Sequence, residues 1–306
     1  MKEKAIFIVG PTASGKSALA IWLAKKIKAE IINADSRQVY KYLDVGSGKI
    51  DIDDKLQKIK NLKSGKVIIG GVVHHLVSIV SPRKNYSLGQ WLKDVDRVVE
   101  VLKSENKKII FCGGTILYLR ALYEGWQLPE VKADPNLRKK LEKEDSLKLW
   151  KRLYKLDKRR ALAIDYRNKR RVIRALEIAL KLGKVPAINF QPKFELLILS
   201  PLVDEKLLKR KIEKRLKRRI VGIIREIKRL RKIGISWKRI ISFGLEYDWF
   251  GKYVRGDIEL NTAFNKCLKE IIHFAKKQIR ELRKFPVIYV KNRKDTLIKV
   301  KNFFNL

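Results

Sequence analysis

The chain has 306 residues, 72 of them Lys or Arg and 32 Asp or Glu, for a formal net charge of +40. Its 45% hydrophobic content is that of a folded protein and excludes a disordered basic tail. No run of about 18 apolar residues exists, so nothing in the sequence spans a membrane as a helix.

A charge of this sign and size points to a polyanionic partner, nucleic acid first, with a lysine-rich genome as the plain alternative. Residues 121–306 hold 50 basic and 21 acidic residues, so +29 of the +40 lies there. The length predicts two domains, or one large domain carrying an insertion. The two cysteines, Cys112 and Cys267, and the three histidines show no C-x-x-C or H-x-x-x-H spacing. That argues against a structural zinc or a disulfide framework. The first apolar run is too short for a signal-peptide core, so a cytosolic protein is expected.

Ala5–Val9 is a short apolar run ending at glycine, which reads as a buried strand. Ser17–Lys28 carries Leu19, Ile21, Leu23 and Ile27 at helical spacing. Glu30–Ala34, Val67–Ile69 and Lys108–Cys112 read as further strands, with a helix over Leu88–Leu102. Such alternation predicts a parallel α/β sheet. From 121 to 183 the chain reads as charged and helical, without a strand. Phe194–Leu199 and Val287–Val290 return to strand character. Residues 205–232 hold 14 basic and 3 acidic residues around an apolar stripe from Leu208 to Leu230, a long amphipathic helix with a break expected at Gly222. Its basic remainder is either a solvated face or a phosphate-contacting surface.

Gly10-Pro11-Thr12-Ala13-Ser14-Gly15-Lys16-Ser17 fits G-x-x-x-x-G-K-[ST] between a strand and a helix, the context that supports a phosphate-binding loop. Converging N–H groups and a helix N-terminus suit phosphate oxygens, Lys16 can neutralise a terminal phosphate, and the Ser17 hydroxyl can hold Mg²⁺. The fold expected is α/β, a P-loop NTPase-like parallel sheet core (1–120), a helical insertion (121–183), and a return to the core with basic C-terminal helices (184–306). The loop alone does not specify the reaction. Asn33–Tyr40 follows the second strand and should lie beside the loop. There Asp35 could bind Mg²⁺, cap a helix or act as a base. Cys112-Gly113-Gly114-Thr115 is a third turn at the same edge, with Thr115 either capping a helix or facing the site.

Taken in this order, these segments resemble the tRNA dimethylallyltransferases of bacterial type. The resemblance rests on GPTASGKS, Asp35–Tyr40, Asp44–Lys49 and Gly113–Tyr118, and extends through Ala133–Pro135, Arg174–Glu177 and Phe274–Gln278. It implies transfer of a dimethylallyl group from dimethylallyl diphosphate to the exocyclic amine of the adenosine 3′ to the tRNA anticodon; Mg²⁺ at the phosphate site and a monomer are expected. The P-loop would then hold the diphosphate leaving group, not ATP. The resemblance makes Asp35 the base or hydrogen-bond acceptor at the amine, sets Thr12 and Thr115 in the channel where the substrates meet, and puts Arg215 near the diphosphate. It also implies anticodon stem–loop contacts at Asp35, Ser36, Arg37 and Gln38, at Arg170, Arg171 and Arg174, and around Gly244. The chain departs from the commoner pattern at 165–169, 244–247 and 280–283, which bears on tRNA contact rather than transfer. The rival readings are a small-molecule kinase, an enzyme acting on free AMP, and a non-catalytic RNA-binding protein.

Overall fold

The computed structural model describes residues 2–49, 60–61 and 66–306. In chain order these form β1 (Glu3–Val9), α1 (Lys16–Ile27), β2 (Ala29–Asn33), β3 (Lys60–Asn61), β4 (Val67–Ile69), β5 (Val72–His75), α2 (Leu88–Ser104), β6 (Lys108–Gly113) and α3 (Ile116–Glu124). There follow β7 (Trp126–Gln127), α4 (Pro135–Leu141), α5 (Ser146–Leu156), α6 (Lys158–Leu162), α7 (Lys169–Leu182) and β8 (Asn189–Phe190). The rest is β9 (Phe194–Pro201), α8 (Glu205–Lys232), α9 (Trp237–Ile241), α10 (Glu246–Arg255), α11 (Leu260–Leu282), β10 (Ile288–Val290) and α12 (Arg293–Phe304).

The main sheet has the order β10-β9-β1-β6-β2-β5-β4-β3. The first six of these strands are parallel and the last two pair antiparallel. Both faces of β1 are buried. Ala5, Phe7 and Val9 join Trp91, Phe111 and Tyr118 on one side, and Ile6 and Ile8 join Leu23, Ile31 and Ile110 on the other. A parallel strand covered on both faces reads as a continuous apolar run, which is why the sequence exposes it.

The parallel α/β expectation holds except at one edge, where β3 pairs antiparallel with β4, as do the adjacent strands β4 and β5. These form a hairpin whose two-residue turn, Gly70-Gly71, has φ of 57° and 78° at its centre. Only glycine adopts that pair of left-handed conformations freely, and such turns match the twist of antiparallel strands. The pair of glycines was the available signal for the turn. In β5, burial pushes the His74 imidazole down to about 4, and its Nδ1 lies 2.9 Å from the Val72 carbonyl. His75 Nε2 meets Glu30 at 2.6 Å, and burial lowers His75 as well. Above the ordinary value of 6.5, His74 is neutral whether the chain is folded or not. Below it the unfolded chain takes up a proton that the folded chain refuses until about pH 4. Stability should therefore fall as pH drops through that window, by about 3 kcal/mol from this residue. Urea unfolding at pH 7 and pH 4.5 checks this. His74→Gln should flatten the slope, and an unchanged slope would contradict it.

The helix expected at 205–232 is α8, and it runs unbroken through Gly222. Glycine inside a helix costs about 1 kcal/mol. Burial of Leu208, Ile212, Leu216, Ile223, Ile227 and Leu230 against α10 and α11 outweighs it, at about 1.5–3 kcal/mol per side chain.

The chain divides into two compact units, residues 1–123 with 193–306, and residues 124–192. The second starts slightly later than the expected 121 and runs past the expected 183, because its entering and leaving segments pair as β7 and β8. Its first strand, β7, lies where only helix was expected. Side chains of Asp134, Asp145, Asp157 and Asn168 cap α4, α5, α6 and α7, and Leu141, Leu149, Leu153, Val172 and Leu176 form the core between them. In the divergent 165–169 stretch, Asn168 caps α7 and Asp165 pairs with Arg167.

Candidate active site

Three turns meet at the carboxyl edge of the sheet. Val9 pairs with Gly113 and Asn33 with Cys112, so β1, β2 and β6 end level. The chain then enters the glycine loop, the Asp35 turn and the Thr115 turn. In α/β sheets this edge is where ligands bind.

Gly15 takes the left-handed conformation before α1, and no side chain caps that helix. Its first N–H groups therefore remain for an anion. The Ser14 hydroxyl is buried inside the loop without a hydrogen-bond partner. Lys16 Nζ donates to the Pro11 carbonyl at 3.3 Å. Burial lowers the Lys16 pKa, nearby Arg215 lowers it further, and Asp35 opposes the shift. An uncapped helix end, an orphaned hydroxyl and a desolvated ammonium together fit a polyphosphate.

Asp35 is fixed by its neighbours. Its N–H donates to Asn33 Oδ1 at 3.1 Å, while Asn33 Nδ2 donates to the Asp35 and Leu76 carbonyls. Trp91 Nε1 in turn donates to the Asn33 carbonyl. Asp35 Oδ1 accepts from the N–H groups of Arg37 at 2.9 Å and Gln38 at 3.4 Å. Both contacts fall on one oxygen, which leaves Oδ2 for another group. Asp35 thus does cap a turn. Thr115 opens α3 through its carbonyl, which accepts the Tyr118 and Leu119 N–H groups, while its hydroxyl accepts the Ser36 N–H at 3.0 Å, tying the second turn to the third. Gly113 permits this closeness, since a Cβ there would lie 2.1 Å from the Ala34 carbonyl carbon.

Gln278, buried in α11, bridges the first turn and the third. It donates to the Gly114 carbonyl at 2.8 Å and accepts the Thr12 N–H at 3.1 Å. Arg215 on α8 donates to the Thr12 hydroxyl at 3.3 Å. The Cys112 thiol beside them is raised to about 11 by burial, so it stays protonated.

Around the Asp35 turn, Arg37 lies over the Phe243 ring at 5.8 Å, and Arg239 lies over the same ring at 4.6 Å. A Cβ on Gly244 would sit 3.7 Å from Arg37 Nη2. Gln38 reaches the Ser47 carbonyl at 3.5 Å. The structure therefore brings together the glycine loop, Asp35–Gln38, Thr115, Arg215 and Gly244. Arg170, Arg171 and Arg174 belong to the second unit. Arg170 and Arg171 are exposed, whereas Arg174 donates to Glu177 and to the Val131 carbonyl. Glu177 is buried and also takes Arg138 and the Asp134 N–H. The divergent 280–283 stretch supplies buried Leu282, and Glu281, which pairs with Arg120 and Lys284.

Sequence reasoning did not single out Asn33, Gln278 or Glu226 for a role of their own. Asn33 had a signal, as a polar residue ending an apolar strand. Gln278 closes the Phe274–Gln278 segment of the resemblance but had no role assigned, and Glu226 sits in a long charged helix where nothing local marks it.

Among the described residues, no group of three or more Asp, Glu, His or Cys gathers as a metal cage. Ser17, exposed at the start of α1, is a hard oxygen donor. Such a site suits Mg²⁺ carried by phosphate oxygens and water, the usual mode for that ion.

A family model described as IPP transferase matches residues 38–285. The tRNA dimethylallyltransferase of Carboxydothermus hydrogenoformans is 34% identical over 312 aligned positions, covering 98% of this chain and 96% of that one. The tRNA dimethylallyltransferase 1 of Syntrophus aciditrophicus is 34% identical over 281, covering 91% and 88%. A solved full-length tRNA isopentenylpyrophosphate transferase from Bacillus halodurans has a TM-score of 0.69 at 28% identity, covering 99% of this chain and 96% of that one. A eukaryotic dimethylallyltransferase solved acting on tRNA shares the fold, with a TM-score of 0.80 at 23% identity over 99% of this chain and 79% of that one. The matched segment takes in the Gly113–Thr115 turn, Arg215, Gly244 and Gln278, and the chain belongs to the IPP transferase family.

Proposed function

We propose that this chain transfers a dimethylallyl group from dimethylallyl diphosphate to the exocyclic amine of the adenosine 3′ to a tRNA anticodon. The observation that carries the proposal is the junction of a phosphate loop with a carboxylate turn through Thr115 and Gln278. In the reaction the amine nitrogen bonds to the allylic carbon, and the carbon–oxygen bond to diphosphate breaks. The departing oxygen takes the electron pair, and the amine proton passes to Asp35. An aromatic amine is a weak nucleophile because its lone pair is delocalised into the ring. A carboxylate oxygen within reach accepts its proton as the new bond forms. The loop N–H groups, Lys16 and Arg215 stabilise charge growing on the diphosphate. Ser17 would hold Mg²⁺, which when bound supplies further charge neutralisation to that leaving group. The Thr115 hydroxyl, oriented by Ser36, lines the meeting point of the substrates.

The target base must leave the anticodon stack, at a cost of a few kcal/mol. In this reading Arg37, Ser36, Gln38 and the Gly244 turn receive it. Arg170 and Arg171 contact backbone phosphates, and Arg174 shapes their unit. The glycine loop, Asp35 and Arg215 lie in one unit of one chain, which suits a monomer. No helix among the described residues is long and apolar enough to cross a membrane.

Labelled dimethylallyl diphosphate incubated with unmodified tRNA, with ATP and AMP as controls, tests the proposal. Label should enter tRNA at the adenosine beside the anticodon. Label in AMP alone, or ATP consumption without transfer, would overturn it. Binding should also be salt-sensitive. Filter binding between 50 and 200 mM salt should lose at least about tenfold in tRNA affinity, because displaced counterions scale with phosphate contacts. A flat response would detach the +40 charge from RNA binding.

A further inference from the structure

The apolar stripe of α8 contains a buried carboxylate, Glu226, with 4% of its surface exposed. Its Oε2 accepts the N–H groups of Asp44 at 2.6 Å and Val45 at 2.7 Å. Its Oε1 accepts the Gly46 N–H at 3.1 Å and the Tyr247 hydroxyl at 2.7 Å. Four donors thus converge on one carboxylate from two segments remote in sequence. Burial beside that carboxylate holds the Tyr247 phenol protonated, so it remains a donor.

The loop gripped in this way touches the active site at its other end. Gly48 has φ +72°, and a Cβ there would lie 2.5 Å from Arg215 Nη2. The Arg215 guanidinium therefore rests against the Gly48 backbone while its Nη1 donates to Thr12. Arg215 and Glu226 stand three turns apart on the same helix, about 16 Å along its axis. One rigid element thus holds both ends of the Asp44–Gly48 loop. Glu226 fixes where the loop begins, and the loop backs the guanidinium that faces the glycine loop. Lys49 closes the segment by donating to Asp44 at 3.0 Å and Ser78 at 2.8 Å.

We propose that Glu226 is a positioning residue for the diphosphate site, setting Arg215 through the Asp44–Gly48 loop with Tyr247 as its fourth donor. This inference rests on the diphosphate reading of the site, but it requires only anion binding and not prenyl transfer.

The test is a pair of double-mutant cycles read by calorimetry with inorganic diphosphate, alongside thermal unfolding. Glu226→Gln keeps the shape but removes the charge and turns a donor toward N–H groups. It should weaken diphosphate binding about tenfold. In an Arg215→Ala background the same change should have an effect below twofold, because Glu226 acts through that arginine. Tyr247→Phe removes one hydroxyl and leaves three donors on Glu226. It should weaken binding about threefold, and again not at all once Arg215 is gone. Equal losses with and without Arg215, or diphosphate affinity within twofold of wild type in both folded single variants, would overturn the proposal. If Glu226→Gln does not fold, the Tyr247→Phe cycle decides alone. If wild-type protein binds diphosphate but transfers no prenyl group to tRNA, the enzymatic reading fails while these cycles still decide this one.

Discussion

Replacing Asp35 with alanine is expected to lower prenyl transfer roughly 10²–10⁴-fold, the range for a lost general base. Affinity for tRNA should change by less than about threefold, because the wider basic surface is untouched. The loss should lie in the chemical step, since the proton acceptor contributes mainly as the new bond forms. Asp35 also receives the Arg37 and Gln38 N–H groups on Oδ1. Alanine therefore perturbs the turn as well as removing the acceptor. Asp35→Asn separates the two effects. Its amide oxygen can still take those N–H groups, but it cannot accept a proton. If the asparagine variant is as slow as the alanine one in single-turnover assays with both substrates saturating, Asp35 is the proton acceptor. If asparagine restores most of the rate, the residue only shapes the turn.

Lys16→Ala should weaken inorganic diphosphate binding roughly 10–100-fold, the equivalent of about 1.5–3 kcal/mol for a hydrogen bond to a charged group. Its ammonium is desolvated and already spends a contact on the Pro11 carbonyl, so it is poised for a stronger acceptor. Lys16→Arg should not rescue binding. The buried site holds a compact ammonium, and a planar guanidinium with a fixed fork of donors does not reproduce that point charge. The pKa direction adds a second readout. A lysine held below its ordinary 10.5 loses its proton earlier on alkaline titration. Diphosphate affinity should therefore begin to fall below pH 10.5 in wild type, and that alkaline limb should be absent in Lys16→Ala. Calorimetry across pH 7–10 measures both. Unchanged affinity in the alanine variant would remove the glycine loop from the phosphate site.

Local patterns announced the parts of this protein whose physics is local. A strand buried on both faces is a short apolar run, as at Ala5–Val9. A phosphate loop needs glycines and a lysine at fixed spacing, and 10–17 supplies them. A helix packed on one side shows a three-to-four repeat, as α8 does from Leu208 to Leu230. These features, with the charge, were enough for an α/β phosphate-binding enzyme with a nucleic-acid partner. The hairpin at Gly70-Gly71 was within reach of the same reasoning, because the turn chemistry is written in two adjacent residues.

What the tertiary structure alone decided is where polar groups in charged helices end up. Gln278 and Glu226 look like ordinary surface residues, yet each is buried and satisfied by backbone groups more than 160 residues away. Arg174 stands beside Arg170 and Arg171 in an apparent basic run, but it turns inward to Glu177. Gly222 looked like a helix break until packing along both flanks outweighed its cost. A residue's own sequence neighbourhood sets backbone preference and amphipathic spacing. The partners that satisfy a buried charge come from other elements, and only the assembled fold brings them within hydrogen-bonding distance.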